Sequence, residues 1–377
     1  MKKLIFIILF VVSSSFSQLK YDTLYSSVIT DGIKFAKLKE SIVPWSVNVL
    51  EVDISNPNIR IETAKANDWL IGNETTSSMA KRRSTPNEKV FAAVNGDFYY
   101  RGGLPTNLQI KNGQILTTPI NRTILAFDYQ NKPIIDIVKY EGKIITNKNK
   151  FEINGINITR DDKKIILYNK YFGDSTSTNS KGFEILVQRI NNWLVNDTVK
   201  CVVKKIQVGV GNIKIPDTTF AVISSGNVKN DLIKHVKLND TIKIFNSITP
   251  AKSKIKEAIG GLIQLVKDGK NYVDKSFVEH KKPSFTYVRH PRTAVGFSKD
   301  STKIFFVVVD GRQSTSAGMT LPELAELMLN VGSYNAINLD GGGSSTIYVD
   351  GEIKNNPSDG IERAVSNSIL IIEKKKF

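Results

Sequence analysis

Residues 304–349 read IFFVVVDGRQSTSAGMTLPELAELMLNVGSYNAINLDGGGSSTIYV, and the hydrophobic period changes several times along them. Ile304 to Val309 is an unbroken apolar run of strand length that stops at Asp310-Gly311-Arg312. Leu321, Leu324, Ala325, Leu327, Met328 and Val331 then recur at helical spacing, which predicts a helix from Leu321 to about Val331. Thr320 and Glu323 have capping-box spacing and Pro322 stands in the first turn, so the start of that helix is specified locally. Asn335 to Leu339 reads as a strand that runs into Asp340-Gly341-Gly342-Gly343-Ser344-Ser345, and Thr346 to Val349 as the strand leaving it.

Outward from this stretch, strands predominate. Apolar side chains alternate over Trp45 to Val49, and Lys89 to Val94 forms a short buried strand that ends at Asn95-Gly96-Asp97. Only the polar segment around Glu74 to Lys81 adds helix-compatible sequence between them. From about 135 to 250 the chain is a series of short alternating runs separated by Asn, Asp, Gly and Thr, the signature of antiparallel β structure. The expected fold is α+β and β-rich with few helices. Residues 18–90 form an N-terminal β-rich region packed on a main domain of 91–371, within which about 135–250 is a β-rich insertion serving as scaffold.

The 377 residues are 41% hydrophobic and 9% aromatic, enough for a full core and incompatible with a disordered or low-complexity chain. Lysine and arginine number 52 against 36 acids, a net charge of +16 that invites an anionic partner. Lys2 and Lys3, the apolar run Leu4 to Val12 and the small residues up to Ser17 have the three parts of a secretory signal, and the run is too short to cross a bilayer. Cleavage is expected after Ser17, giving an exported, periplasmic or secreted chain with no transmembrane segment. Removing those two lysines leaves 50 basic residues against 36 acids, so the positive charge belongs to the mature chain. Cys201, the single cysteine, lies in a strand-like stretch and reads as a buried core thiol rather than part of a disulfide framework. His235, His280 and His290 do not make a zinc pattern, so a divalent cation would need mainly oxygen ligands, with Asp340 the best candidate. No cofactor is predicted.

Three features carry candidate chemistry. The glycines Gly341, Gly342 and Gly343, followed by Ser344 and Ser345, let backbone N–H groups approach an oxyanion, or alternatively only supply the positive φ of a tight hairpin. Neither a Walker lysine nor a following helix is present, which excludes the two common nucleotide loops. Of the 11 arginines, Arg101, Arg289, Arg292, Arg312 and Arg363 fall in segments rich in glycine or acids, where a planar fork suits phosphate or carboxylate, while lysines are dispersed. Asp97, Asp310 and Asp340 stand at strand or loop ends, with Glu323 in the helix. Glycosidic cleavage usually uses two carboxyl groups, and a phosphate leaving group reduces the need for an acid. Each aspartate is open to a second reading as a turn former, and Glu323 to one as the cap of its helix. His290 is equally open to an acid–base role or a structural one.

The ordered set Asn95-Gly96-Asp97-Phe98, Pro291-Arg292-Thr293-Ala294-Val295-Gly296, Asp310-Gly311-Arg312, Gly318 to Ala325, Asn338 to Thr346 and Arg363-Ala364-Val365-Ser366-Asn367 resembles the phosphodiester glycosidase family across roughly Phe91 to Ile371. The resemblance implies an α+β domain with these segments around one pocket, and hydrolysis of a sugar-1-phosphodiester to free sugar and phosphomonoester. It implies catalytic roles for Asp97 and Asp340, with Asp310 and Glu323 in reserve. Asn95, His290, Arg292, Arg312, Gly341 to Ser345 and Arg363 would bind the substrate, N-acetylglucosamine being the family's usual sugar. The expected partner is a phosphorylated glycan of the envelope or extracellular space, and the excess lysine suits an anionic envelope surface. A non-catalytic phosphoglycan-binding protein on the same fold is the alternative. Nucleic-acid binding rests on charge alone and is not predicted, given the signal-like start and the dispersal of lysine.

Overall fold

The computed structural model describes residues 22–40 and 42–374, and the signal-like segment with its cleavage point lies outside them. Four sheets account for nearly all of the regular structure among the described residues. In the first, the order is Asp22–Thr30, Ile33–Glu40, Trp45–Asp53, Lys303–Val309, Arg292–Phe297, Asn335–Asn338, Gln264–Lys267 and Lys270–Asn271, antiparallel throughout. The unbroken apolar run at its centre has a simple cause, because both faces are covered. Ile304, Phe306 and Val308 enter one core with Ile61, Val94 and Ile371, whereas Phe305, Val307 and Val309 pack with Leu324, Leu327 and Met328 of the helix Leu321–Asn330. Thr320 Oγ1 accepts from the Glu323 N–H at 3.3 Å and a Glu323 carboxylate oxygen accepts from the Thr320 N–H at 2.9 Å, so the capping box fixes the start of the helix.

The second sheet pairs Glu352–Ile353, Ile347–Val349, Glu88–Asn95, Asn367–Lys374 and Ile59–Lys65. The third pairs Gln114–Thr117, Gln109–Lys111, Ile255–Gly260, Thr123–Asp128 and Pro133–Ile137. Both contribute to the core under the first sheet, Ile61 and Val94 from one, Leu125 and Ile259 from the other. The N-terminal strands are therefore threaded into the body of the molecule, with Trp45–Asp53 hydrogen-bonded to Lys303–Val309 and Ile59–Lys65 to Asn367–Lys374. Residues from Lys139 to Thr249 build the fourth, eight-stranded sheet, antiparallel except for the short pair Gly155–Ile156 and Ile165–Asn169. Its inner face shares a second core with the third sheet, and Cys201 is buried there as a free thiol. No helix among the described residues is long and apolar enough to cross a membrane.

Pairing register brings six strand ends to one edge of the first two sheets. Asn95 lies opposite Ser368, Val94 opposite Ile347, Ala294 opposite Asn338, and Arg292 opposite Val309. Every segment of the ordered motif set opens from this edge or closes onto it.

Candidate active site

The strand end at Asn95 and the glycine loop are tied together. Asn95 is fully buried; its amide nitrogen donates to the Asp340 carbonyl at 2.7 Å and its oxygen accepts from Thr293 Oγ1 at 2.8 Å and the Thr346 N–H at 3.0 Å. The Asp340 N–H in turn donates to the Gly96 carbonyl at 3.0 Å. With both ends of its side chain held by the protein, Asn95 acts as a strut that positions Asp340.

Asp97 follows immediately and is 1% exposed. One carboxyl oxygen accepts from the Asn107 N–H at 2.8 Å, its own N–H donates to Asn367 Oδ1 at 2.8 Å, and its other carboxyl oxygen has no partner. Burial pushes its pKa up to about 8; Asp340 adds to the rise and the Asn107 N–H opposes it. At neutral pH this carboxyl keeps its proton. Gly260 makes the placement possible, since a Cβ there would stand 2.5 Å from the Asp97 carboxyl oxygen.

Asp340 is less enclosed, and burial raises it only to about 6 because the Ser344 hydroxyl, the Gly341 N–H at 2.9 Å and the charge of Arg363 favour its anion. The two aspartates thus form a coupled pair, one protonated and one ionised at neutral pH. The glycine loop does not present the row of free donors expected of a phosphate nest. Gly341 donates to the Asp340 side chain, Gly342 to the Pro291 carbonyl, and Ser344 and Ser345 to carbonyls within the loop. Its glycines instead allow close approach: a Cβ on Gly342 would lie 3.3 Å from a terminal nitrogen of Arg312, and one on Gly343 would lie 2.1 Å from a terminal nitrogen of Arg363. Two exposed guanidinium groups therefore lie over adjacent glycines beside Asp340. Arg312 holds a left-handed backbone at φ 61°, a sparsely populated conformation for a residue with a Cβ. Arg363 is paired with Asp359 at 2.5 Å, which outweighs partial burial and keeps it above its ordinary value.

His290 lies behind Arg312, with Nδ1 3.4 Å from an arginine nitrogen and Nε2 3.3 Å from the Ser284 carbonyl. Burial, then the charges of Arg292 and Arg312, hold it below the ordinary imidazole range, so it is neutral at pH 7 and bears its proton on Nε2. Arg292 is 2% exposed and turned inward: it donates to the carbonyls of Met319, Phe285 and Val288 at 2.7–3.0 Å and stacks on Phe285. Burial, with Arg312 alongside, lowers it to about 9. Its bonds account for it as the clasp of the segment carrying His290. Asp310 is likewise engaged, accepting from Ser46 Oγ at 2.8 Å and the Asn356 N–H at 2.9 Å. Glu323 caps its helix and pairs with Arg289 at 2.5 Å, which overcomes burial and keeps it below the ordinary range.

The carboxylate–arginine centre thus comprises Asp97, Asp340, Arg312, Arg363 and His290, while Asn95, Arg292, Asp310 and Glu323 form its supports. No sequence motif marks Arg122, whose charge acts on both Asp97 and His280. The sequence reading also gave no role to Asn107 and Asn367, which hold Asp97, or to Phe98, edge-on to Phe285 at 5.8 Å. The Gly260-Gly261 pair was the available signal, because consecutive glycines at a strand end mark close approach. Among the described residues no group of three or more His, Cys, Asp or Glu is placed to hold a metal ion.

Fold and site together define a β-rich α+β protein whose edge loops gather a carboxylate pair and two arginines. Residues 215–372 match the phosphodiester glycosidase family. It is 48% identical over 84 residues to an uncharacterized protein, YomE, of the SPbeta prophage in Bacillus subtilis, a match covering 22% of this chain and 13% of that one. It is 33% identical over 111 residues to the bovine N-acetylglucosamine-1-phosphodiester alpha-N-acetylglucosaminidase, covering 27% of this chain and 21% of the enzyme. These matches span about a fifth or less of the relatives' own lengths. A hypothetical protein from Synechocystis shares the fold at a TM-score of 0.70 and 20% identity, over 94% of this chain and 64% of the other.

Proposed function

We propose that this chain is an exported hydrolase that cleaves a sugar-1-phosphodiester, of the N-acetylglucosamine type, to free sugar and phosphomonoester on envelope or extracellular glycans. The observation that carries the reading is the placement of Arg312 and Arg363 over Gly342 and Gly343, next to the ionised carboxylate of Asp340. The two guanidinium groups hold the phosphate and take up the charge that grows on it as the anomeric C–O bond breaks. A phosphomonoester is a weakly basic leaving group, so most of the barrier falls on stabilising the sugar cation or capturing it, the task assigned to Asp340. Asp97 is the proton-bearing member of the pair. Export is supported by the basic, apolar and small-residue order of residues 1–17, and attraction to an anionic envelope by the positive mature chain.

The test is to offer residues 18–377 an N-acetylglucosamine phosphodiester of mannose and to measure released N-acetylglucosamine between about pH 5 and pH 8, with and without divalent ions. Sugar release that is lost in Asp340→Asn is expected. No release under any of these conditions overturns the reading.

A further inference from the structure

The insertion sheet does more than pack against the body of the molecule. Where the two meet lie two adjoining cavities of about 400 and 410 Å³, which share Asn112, Tyr171 and Thr218 as a common wall. Each is large enough for a small ligand, and none of the candidate active-site residues lines either one.

Aromatic surface, amide groups and positive charge converge there. Trp69 and Tyr129 remain 37% and 39% exposed, and each lines one cavity. Trp69 is presented by a turn in which Asn67 and Asp68 both hold left-handed backbone, at φ 53° and 56°, and the next N–H, that of Leu70, donates to the Tyr171 carbonyl of the insertion at 2.6 Å. Tyr129 is fixed by a bond from its hydroxyl to the Trp193 carbonyl at 3.1 Å, and Trp193 by one from its indole N–H to Thr218 at 2.7 Å. Among the described wall residues the one carboxylate, Asp68, pairs through one oxygen with Arg82, and its other oxygen is buried without a partner.

Two wall arginines hold unused donors. Arg189 gives Nη1 to the Asn191 carbonyl and the Asn192 side chain, and its Nε is buried without a partner, so the side-on edge formed by Nε and Nη2 is unengaged. Arg83 is ion-paired through Nη2 with Glu62 at 2.9 Å, which leaves its buried Nε as the unpartnered donor of that edge. Buried donors without acceptors are uncommon and costly, and the side-on edge of a guanidinium matches a carboxylate or phosphate.

We propose that this paired cavity is a second binding site, for an acidic saccharide. Sugar rings lie against Trp69 and Tyr129, and the anionic substituent meets Arg189 and Arg83. The inference does not depend on the hydrolytic reading, because no residue is shared between the two sites.

The test is calorimetric titration of residues 18–377 with tetragalacturonate, mannose 6-phosphate and neutral cellotetraose. Tryptophan fluorescence serves as a second readout, since two of the three tryptophans line the cavities. Either acidic sugar should bind with salt-dependent affinity at least about tenfold tighter than cellotetraose. Binding by the uronate or by the phosphate alone supports the site and identifies its anion. Arg189→Gln and, separately, the exposed-face variant Trp69→Ala should each weaken binding by about tenfold or more, while Asp340→Asn leaves it unchanged. Absence of binding by both acidic sugars, equal binding of cellotetraose, or full affinity in a folded Arg189→Gln or Trp69→Ala chain overturns the proposal. So does loss of binding in Asp340→Asn.

Discussion

A Cβ added to Gly343 would stand 2.1 Å from a terminal nitrogen of Arg363. The Asp359 carboxylate paired with that arginine would stand 2.2 Å away, so both obstacles are the ends of side chains and Gly343→Ala displaces the ion pair rather than the backbone. The expected outcome is a raised KM for the phosphodiester, about tenfold or more, with a melting temperature within a few degrees of the parent. Gly260→Ala makes the contrast. There the obstacles are the buried Asp97 carboxyl and the Asn107 Cβ, both at 2.5 Å, and overpacking of that kind costs about 1–3 kcal/mol. Thermal unfolding and steady-state kinetics on the two variants separate loss of the phosphate contact from loss of the fold.

Asp340 and Asp97 set the expected pH dependence. Asp340 becomes ionised as pH rises through about 6, and Asp97 loses its proton through about 8, so kcat/KM should trace a bell between these values. Asp97→Asn, which cannot ionise, should remove the alkaline limb from whatever activity remains. A profile flat from about pH 5 to 9 would speak against this pair as the reacting groups.

The same burial has a consequence for stability. Asp97 is held at about 8 in the folded chain against an ordinary value near 4, so between these the folded state binds the extra proton. Unfolding then becomes easier as pH rises through that window, and below about pH 4 the difference vanishes. Asp97→Asn should therefore unfold at a higher temperature relative to the parent at pH 8 than at pH 5. Differential scanning calorimetry at the two pH values gives the answer; a difference that is constant or reversed in sign contradicts it.

Much of the frame was legible because short-range patterns name their own partners. The apolar run before Asp310 required two covered faces, and the Thr320, Pro322 and Glu323 spacing specified a helix start; both are present. Site residues were less legible. Asp97, Asp310 and Asp340 look alike in sequence, each beside a glycine, and only long-range bonds separate them. Asp310 accepts from Ser46, 264 positions away, and burial raises its pKa against that bond, whereas Asp97 retains an unpartnered oxygen. Arg292 was similarly opaque, because its role depends on carbonyls from Phe285, Val288 and Met319 converging on one guanidinium. The glycine triplet was open to two readings, a phosphate nest or a source of positive φ; Gly342 holds φ 62°, and the groups lying over the loop are arginines from distant loops.

Glu323 provides the last discrimination, between a carboxylate that reacts and one that supports. Its oxygens accept from the Thr320 N–H and hydroxyl and from Arg289, which itself stacks over Trp45, and this network keeps the group ionised and below its ordinary range. A general acid needs the opposite, a proton held near neutral pH. Glu323→Gln keeps the geometry of the cap and loses the ion pair, whereas Glu323→Ala loses both. The expectation is a stability loss of about 0.5–2 kcal/mol for alanine and less for glutamine, from the cap and the half-exposed pair. Sugar release at neutral pH should stay within about threefold of the parent in Glu323→Gln, measured where both chains are folded. A hundredfold fall in kcat with an unchanged melting temperature would instead place Glu323 among the reacting groups.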